Sequence, residues 1–375
     1  MKIGYDAKRA FTNTSGLGNY SRFVISGMMV HFPQEQYSLF TPRKNDLFQN
    51  FFPPVAQTQI VQPSGVGKRF SSLWRTFGLR AALPKHGVQV YHGLSNELPY
   101  GLDRQKTKLV VTIHDLIFLR FPELYPAIDR YIYRKKFKDA CDTAHQIVAI
   151  SEQTAQDLEE FFGVGREKVQ VVYQDCDPVF QLIPEKEVQN AVRQKYALPA
   201  EFILCVGTLE RRKNQVHLLK GWHAAGASVP LVFIGRKTEY HKEMQEFISQ
   251  QGLEDKVLFL PYIPFQELPV IYQLASLFVY PSIFEGFGIP IVEALNSGTP
   301  VITSTGSCFS EAGGPATRYV SPTDAEALAH AIQEILGDSD LQKQIVKTGL
   351  EHAQIFRPQV TIPQLHRVYE QVLEH

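Results

Sequence analysis

The stretch that decides the fold is "LFVYPSIFEGFGIPIVEALNSGTPVITS", residues 277–304. Its apolar start is typical of a buried strand. A turn with two glycines follows, and a helical pattern then leads into a second apolar run. Pro290 suits the first helical position, where a missing N–H costs nothing, and Gly298 suits the helix end. The pattern predicts a βαβ unit whose loop lies at the carboxyl end of a strand, where open parallel sheets bind ligands.

Two glycines and two glutamates surround this turn. Gly286 and Gly288 allow the backbone to approach a ligand closely, and the N-terminus of the helix offers unpaired N–H groups to an anion. Glu285 precedes the turn, and Glu293 is expected in the first turn of the helix. Either carboxylate could simply cap the helix, or both could hold hydroxyl groups of a ligand. The rest of the chain has to decide between these interpretations.

Short apolar runs alternate with helical patterns along the whole chain, as in parallel α/β sheets. Strands are expected near residues 2–6, 37–41, 57–62, 88–92, 109–113, 146–150, 168–173, 202–207, 230–235, 256–260, 277–281, 300–303 and 318–320. A polar stretch with prolines near both ends, residues 178–201, separates the first seven from the last six. We therefore predict two Rossmann-like domains, residues 1–182 and 183–357, with a terminal helix, 358–375, that packs back on the first domain.

Composition excludes several classes of protein. The 38 Lys and Arg residues balance the 38 Asp and Glu residues, so the net charge does not favour nucleic acid as a partner. The start, "MKIGYDAKRAF", lacks an apolar signal region, and no apolar run is long enough to span a bilayer. The 4 cysteines are scattered without the spacing of metal ligands. A protein of the reducing cytoplasm is expected.

Two stretches combine basic and aromatic residues, namely residues 68–80, "KRFSSLWRTFGLR", and residues 130–138, "RYIYRKKFK". This combination suits peripheral contact with an anionic surface such as the inner face of the cytoplasmic membrane. The alternative is an ordinary solvated helix face with core aromatics. The sequence leaves both interpretations open.

A glycine-containing stretch, "SGLGNY" at residues 15–20, follows the first predicted strand. It fails as a dinucleotide fingerprint because Ser21 replaces the third glycine and about nine residues, where a tight turn is required, separate strand from glycines. Gly16 and Gly18 could still open a helix that holds a phosphate or approaches a substrate, or they could form a structural turn.

Charged side chains follow two further strands. The strand at residues 109–113 ends in His114 and Asp115, which places an imidazole and a carboxylate at the ligand-binding edge. The strand that opens the second half leads into "VGTLERRKN", residues 206–214, with three successive cations. Cations at the carboxyl end of a strand are what a diphosphate needs, although a solvated charge run is the alternative.

Five segments in the right order resemble one known family: "TIHDLIFLRFPE" (112–123), "VGTLERRKN" (206–214), "FIGR" (233–236), "FLPYI" (259–263) and "PSIFEGFGIPIVEALNSGTPVITS" (281–304). They resemble the retaining glycosyltransferases of the GT-B fold, and more narrowly the mannosyltransferase-like branch of the group 1 family, family 4. The resemblance implies an α/β protein with two Rossmann-like domains facing across a cleft, and a C-terminal helix that crosses back to the N-terminal domain. The N-terminal domain would bind the acceptor, and the C-terminal domain would bind the nucleotide-sugar donor.

The resemblance also implies roles for the residues of the opening stretch. Glu285 would face the transferred sugar, and the amides of Gly286, Phe287 and Gly288 would hold its hydroxyl groups. Glu293 would hydrogen-bond the ribose of the nucleotide. In the front-face mechanism of such enzymes the departing phosphate oxygen takes the acceptor proton, so the residues need not include a strong base.

The remaining site residues follow from the same resemblance. Arg212 and Lys213 would neutralise the diphosphate, and His114 would lie beside the anomeric region of the sugar. The other predicted substrate-binding residues are Gly16, Gly18, Asp115, Gly207 and Thr208. No metal and no cofactor is expected beyond the donor itself. Relatives often have Gly-Arg where this chain has Gly-Thr, so one phosphate contact is either absent or supplied by Arg211.

Substrates and alternative functions stay open at this point. The subgroup resemblance favours GDP-mannose as donor and a glycan or lipid-linked acceptor in surface polysaccharide synthesis, but no residue distinguishes guanine from uracil. Asp175 and Asp177 form a literal Asp-x-Asp that could bind Mn²⁺ or Mg²⁺. A nucleotide-sugar epimerase and a non-catalytic nucleotide-sugar-binding or membrane-scaffold protein are the alternative functions.

Overall fold

The computed structural model describes residues 1–45, 51–54, 57–64, 73–260 and 263–374. The chain divides into two compact units. One consists of Met1–Asp175 with Phe356–His375, and the other of Cys176–Ile355. Each contains one parallel β-sheet, in agreement with the predicted α/β class.

The sheet of the first unit has seven strands in the order β3-β2-β1-β4-β5-β6-β7, and the pairings are parallel. The strands are β1 Lys2–Asp6, β2 Gln36–Phe40, β3 Thr58–Val61, β4 Val90–Gly93, β5 Lys108–Ile113, β6 Gln146–Ala149 and β7 Val169–Val171. The strand order reverses between β1 and β4, and ligands of open α/β sheets bind at such a switch point.

Six helices connect these strands within the described residues: α1 Lys8–Thr12, α2 Gly16–His31, α3 Leu79–Lys85, α4 Ile117–Arg120, α5 Ala127–Thr143 and α6 Glu152–Phe162. Helix α6 illustrates how the sequence sets the bounds. The Ser151 side chain accepts a hydrogen bond from the Thr154 amide at 3.0 Å, which caps the first turn. Gly163 ends the helix with φ 63°, a conformation that glycine adopts without strain.

The sheet of the second unit has six strands in the order β10-β9-β8-β11-β12-β13, again with parallel pairings. The strands are β8 Ile203–Val206, β9 Leu231–Ile234, β10 Val257–Leu260, β11 Leu277–Tyr280, β12 Val301–Ser304 and β13 Arg318–Val320. The helices are α7 Lys186–Lys195, α8 Gln215–Ala224, α9 Tyr240–Gln250, α10 Leu268–Leu274, α11 Ile289–Asn296, α12 Phe309–Gly313, α13 Ala325–Gly337 and α14 Ser339–His352. The switch point lies between β8 and β11.

The predicted strands are all present, each within two residues of its expected bounds. The predicted βαβ unit is also confirmed, because β11, α11 and β12 follow one another and the two strands are parallel neighbours. Buried apolar runs carry this signal, since strands covered on both faces have near-continuous hydrophobic sequences.

The boundary between the two units lies earlier in the sequence than predicted. They divide after Asp175, whereas the expected boundary was residue 182. The physical reason is the short 3-10 helix Pro178–Gln181, whose fully buried Phe180 packs its ring against Tyr272 at 5.6 Å between centroids. This segment is therefore part of the second unit. The assignment of acceptor and donor binding to the two units stays a prediction.

The last helix, α15 Pro358–Glu374, belongs to the first unit, as the terminal helix was predicted to do. It packs on α2, where Gly27 leaves room for Ile362: a Cβ at position 27 would lie 2.6 Å from the Ile362 Cδ1 atom. The hydroxyl of Tyr369 lies 2.7 Å from Nδ1 of His92, a fully buried residue of β4. A helix from the end of the chain thus fills part of the core of the first unit.

This packing makes a testable prediction. Ile362→Ala removes a buried side chain from the contact with α2, and we expect it to lower the free energy of unfolding by about 2–5 kcal/mol. Val360→Ala, on the exposed side of the same helix, should change stability by no more than about 0.5 kcal/mol. Urea unfolding of both variants measures the difference. Equal losses would contradict the described packing of α15.

Candidate active site

The predicted diphosphate and sugar residues lie at the switch point of the second sheet. Strands β8 and β11 are direct neighbours, with Leu277 opposite Ile203. The loop after β8 contains residues 207–214, and the loop after β11 contains residues 281–288. Because parallel neighbouring strands end at the same edge, these two loops meet there. The backbone N–H of Ile283 donates to the Arg212 carbonyl at 2.8 Å, which joins the loops directly.

The Glu285 carboxylate is the centre of the cluster formed by these loops. Its Oε1 atom lies 2.6 Å from Lys213 Nζ and 2.7 Å from Arg212 Nη1. The Ser282 hydroxyl donates to the same oxygen at 2.5 Å. Only 8% of Glu285 is exposed, so the carboxylate is removed from most of its water and is held by two cations and a hydroxyl instead.

The two cations determine the charge of this carboxylate. Burial alone would raise the pKa of Glu285, but the nearby Lys213 and Arg212 outweigh burial and lower the pKa to about 2. The Glu285 carboxylate in turn raises the pKa of Arg212 above its ordinary value, against the lowering effect of burial. The Glu285 carboxylate is therefore ionised at neutral pH and is matched by cations.

Further contacts fix both cations. Lys213 Nζ donates to the Tyr280 hydroxyl at 2.5 Å and lies 4.8 Å from the centroid of the same ring. Arg212 donates to the Phe284 carbonyl at 2.6 Å and forms an ion pair with Glu210 at 2.8 Å. The side chains are 13% exposed for Lys213 and 16% for Arg212, so each retains a solvent-facing part.

Arg211 does not join the cluster. Its side chain is 73% exposed and pairs with Glu243 at 2.9 Å. Of the two alternatives for the missing phosphate contact, this position favours absence of the contact over its supply by Arg211. The reason is local geometry: Arg211–Lys213 form one 3-10 turn, in which successive side chains point about 120° apart.

Glycines shape the backbone around the cluster. Gly288 is the N-cap of α11 with φ 99°, a conformation that disfavours other residues, and Phe287 beside it is buried. Gly207 has φ 141°, and its carbonyl oxygen would lie 1.8 Å from a Cβ at Gly235. Glycine at 235 therefore lets two loops pack backbone against backbone beside Thr208.

Glu293 lies in the second turn of α11, and this corrects the expectation of a first-turn position. It is therefore not a cap of this helix. Its Oε2 atom accepts a hydrogen bond from the Tyr272 hydroxyl of α10 at 2.8 Å. Burial raises the pKa of Glu293 to about 7, with the Tyr272 hydrogen bond lowering it and Asp177 raising it. The pKa of Glu293 is thus shifted upwards, whereas that of Glu285 is shifted downwards.

In the first unit, His114 follows β5 and is buried. Its Nε2 donates to the Leu94 carbonyl at 2.9 Å, and its ring meets Tyr20 edge-on at 4.7 Å. Burial lowers the pKa of His114 to about 4. The imidazole is therefore neutral at pH 7, with the proton on Nε2. Asp115 accepts a hydrogen bond from the Ile117 amide at 3.1 Å, at the start of α4.

The glycines of "SGLGNY" open a helix, which agrees with one of the two interpretations that the sequence left open and not with a separate turn. The segment between strand and glycines contains α1, and Gly16 and Gly18 occupy the first turn of α2. A Cβ at Gly18 would lie 1.9 Å from the Asn13 carbonyl oxygen, so glycine permits this close approach. The same stretch supplies Tyr20, which contacts His114.

The predicted residues thus form two groups, each at the carboxyl edge of its own sheet. Arg212, Lys213 and Glu285 are brought into direct contact. Sequence reasoning missed Tyr280, Ser282 and Tyr272, which hold Lys213, Glu285 and Glu293 respectively. Tyr280 is the last residue of β11 and Ser282 comes two residues after it, so polar side chains at the end of a buried strand were an available signal.

The alternative metal site lacks support from its two aspartates. Asp175 pairs with Arg357 at 3.3 Å, and Asp177 accepts from the Val179 amide at 3.0 Å. Within the described ranges, no group of three or more His, Cys, Asp or Glu side chains could hold a metal ion.

Comparisons with known proteins agree with this arrangement. The family model described as glycosyl transferases group 1 matches residues 188–352, and the model described as glycosyltransferase family 4 matches residues 32–178. O-antigen chain mannosyltransferase B of Escherichia coli is 27% identical over 375 residues, which covers 95% of this chain and 96% of that protein.

Solved structures match over nearly the whole length. Sucrose-phosphate synthase from Thermosynechococcus elongatus has a TM-score of 0.76 at 22% identity and covers 100% of this chain and 99% of that chain. Anabaena Alr3699/HepE in complex with UDP-glucose has a TM-score of 0.74 at 16% identity, covering 99% of this chain and 100% of that chain. The chain belongs to the group 1 glycosyltransferases, in the family 4-like branch, and has the two-domain α/β GT-B fold.

Proposed function

We propose that this glycosyltransferase moves mannose from GDP-mannose to a glycan or lipid-linked acceptor during synthesis of a surface polysaccharide. The observation that carries the proposal is the Glu285 carboxylate held by Lys213 and Arg212 at the switch point of the second sheet. A diphosphate needs cations, and a sugar needs hydrogen-bond acceptors for its hydroxyl groups. This cluster offers both at the edge where α/β sheets bind ligands.

In the proposed reaction the donor diphosphate takes the place of Glu285 as the partner of the two cations. Glu285 then accepts hydrogen bonds from the sugar hydroxyls, while the amides of Gly286, Phe287 and Gly288 hold the sugar. Glu293 accepts from the ribose hydroxyls. The positive end of α11 adds to the field on the diphosphate.

Chemistry proceeds with retention and without a metal in this proposal. The bond between the anomeric carbon and the phosphate oxygen breaks, and the acceptor hydroxyl attacks the oxocarbenium-like centre on the same face. Its proton passes to the departing phosphate oxygen, so the charge that develops on that oxygen is what Arg212 and Lys213 stabilise. His114 is uncharged, and its Nε2 donates a hydrogen bond to the Leu94 carbonyl. In this proposal it positions the sugar and does not accept the proton of the acceptor hydroxyl.

The choice of donor and pathway rests on similarity. The E. coli relative is named an O-antigen chain mannosyltransferase and is aligned over nearly the full chain, which supports mannose and a surface polysaccharide. The UDP-glucose bound in the Anabaena structure is the ligand of a protein with only 16% identity, so it carries less weight.

A donor panel tests the proposal. GDP, UDP and ADP are first compared by thermal shift, and a nucleotide at 100 times its Kd should add about 2.7 kcal/mol to the free energy of unfolding. Transfer from the corresponding mannose and glucose donors is then measured in excess EDTA. We expect GDP-mannose to react and most of the rate to survive EDTA. Loss of rate in EDTA with rescue by Mn²⁺ would contradict metal independence.

Three substitutions should separate the roles of the site residues. Lys213→Ala and Glu285→Gln remove groups that act on the reacting centre, so kcat should fall on the order of 10²–10³-fold. Glu293→Gln weakens binding of a ribose that is the same in ground and transition states, so KM should rise with kcat nearly unchanged. Steady-state kinetics measures both parameters.

Arg211→Ala is the matched control for these variants, because it removes the neighbouring cation that points away from Glu285. It should leave kcat and KM close to those of the wild type. Reversed effects of the two glutamate variants would show that their roles are exchanged. Near-normal kinetics in Lys213→Ala, Glu285→Gln and Glu293→Gln together would overturn the proposed site.

We further propose that α5 rests on an anionic membrane surface. It exposes Ile128 and Tyr131, each 69%, together with Ile132, and exposed basic residues follow at 134–136. Each basic residue near such a surface contributes about 1 kcal/mol. Residues 68–72 of the other predicted stretch lie outside the described residues, and Arg75 of that stretch pairs with Asp6 and Glu97. Within the described residues, no helix is long and apolar enough to cross a membrane.

Vesicle flotation checks this contact. The chain should bind vesicles rich in phosphatidylglycerol at low salt and detach as salt rises. Ile128→Ser with Ile132→Ser should weaken binding, whereas Val188→Ser, an exposed apolar residue of α7, should not. Binding that ignores salt, or equal losses in both variants, would remove α5 as the contact.

A further inference from the structure

Residues around the Glu293 carboxylate include some that have no role in the proposed reaction. Tyr272 of α10 is fully buried, and its hydroxyl donates to Glu293 Oε2 at 2.8 Å. This bond occupies one carboxylate oxygen and fixes its direction. The other oxygen is left to accept from a ribose hydroxyl. Tyr272 is itself held by ring contacts with Phe180 at 5.6 Å and Phe278 at 5.1 Å, so its hydroxyl has little freedom.

A second carboxylate, Asp177, belongs to a segment that packs on the same two helices. The 3-10 helix Pro178–Gln181 packs on both α10 and α11, and Asp177 is its N-cap. Asp177 accepts from the Val179 amide at 3.0 Å, which fixes this carboxylate at the start of the 3-10 helix. Cys176, the preceding residue, receives a hydrogen bond from Asn296 of α11 at 3.2 Å. The segment is thus tied to the helix that carries Glu293.

We propose that Tyr272 and Asp177 are positioning residues for nucleotide binding: Tyr272 directs the Glu293 carboxylate towards the ribose, and Asp177, the N-cap of the 3-10 helix that packs on α10 and α11, acts on the charge of that carboxylate. This inference rests on the proposed role of Glu293 as the ribose ligand. It adds two residues that do not themselves touch the substrate.

The sign of the pH dependence follows from the groups around Glu293. Among the described residues, the titratable side chains that act on its carboxyl are Tyr272 from α10 and Asp177 from the 3-10 helix. Burial raises the pKa of Glu293 to about 7, Tyr272 lowers it, and Asp177 raises it. The ionised form offers a charged acceptor to the ribose, and protonation removes that charge. Nucleotide affinity should therefore increase as pH rises through about 7.

The test isolates the ribose contact by comparing two ligands. Calorimetry gives the Kd of the nucleotide that the donor panel selects, and of its 2′,3′-dideoxy counterpart, at several pH values on either side of neutrality. We divide the Kd of the dideoxy compound by the Kd of the nucleotide. In this ratio the titration of the phosphates and of protein groups remote from the ribose cancels, because it affects both ligands equally. In the wild type this ratio should rise with pH to roughly 10-fold to 100-fold, as expected for hydrogen bonds to a charged group.

Two variants should move the midpoint of this rise in opposite directions. Tyr272→Phe removes the hydrogen bond that favours the carboxylate, so the midpoint should move to higher pH and the final ratio should fall. Asp177→Asn removes a like charge, so the midpoint should move to lower pH. Tyr319→Phe, which removes another tyrosine hydroxyl bonded within the second unit, should leave the midpoint unchanged.

Opposite shifts support the inference. Unchanged midpoints, shifts in the same direction, or a wild-type ratio that does not vary with pH would overturn it while leaving the proposed donor site intact. Equal loss of affinity for both ligands in Tyr272→Phe would assign that residue a purely structural role and would likewise overturn it. Failure of the wild type to bind any nucleotide of the panel would overturn the proposed function and the inference together.

Discussion

The contact on which the second unit depends is the one between a buried carboxylate, Glu285, and two cations, Arg212 and Lys213. These groups come from different loops, so the ion pairs also fix the distance between the ends of β8 and β11. A buried carboxylate without partners would be costly, and two adjacent cations without a carboxylate would repel each other. The three side chains therefore stabilise one another only when all are present. Because they come from two loops, each loop keeps its conformation only while the other is in place.

The neighbouring glutamate shows how strongly environment separates similar side chains. Glu285 and Glu293 are eight residues apart on one strand–turn–helix segment. Cations lower the pKa of the first, whereas burial near another carboxylate raises the pKa of the second. One is permanently charged at neutral pH, and the other is close to its titration point. A similar division between paired carboxylates occurs in many enzymes, where it assigns different tasks to the same functional group.

Much of this arrangement could be predicted from the sequence, and the limits have physical causes. Buried parallel strands leave apolar runs, so the strands and the edge that carries Arg212 and Glu285 could be placed. The outward direction of Arg211 depends on a 3-10 turn that no periodicity signals. The short helix α1 could not be predicted, because its five residues are too few for a helical pattern. Tyr272 lies in the apolar segment "LPVIYQL", where its hydroxyl is hidden among core residues.

The packing of α15 has a consequence for the order in which the protein can be completed. Tyr369 bonds to His92 across 277 residues of sequence, and the second unit lies between them. During translation, most of the first unit emerges before α15, because this helix follows the whole of the second unit in the sequence. Until then the groove on α2 around Gly27 remains open and exposes core side chains. Removal of α15 would therefore appear as instability of the unit that contains the N-terminal half of the chain.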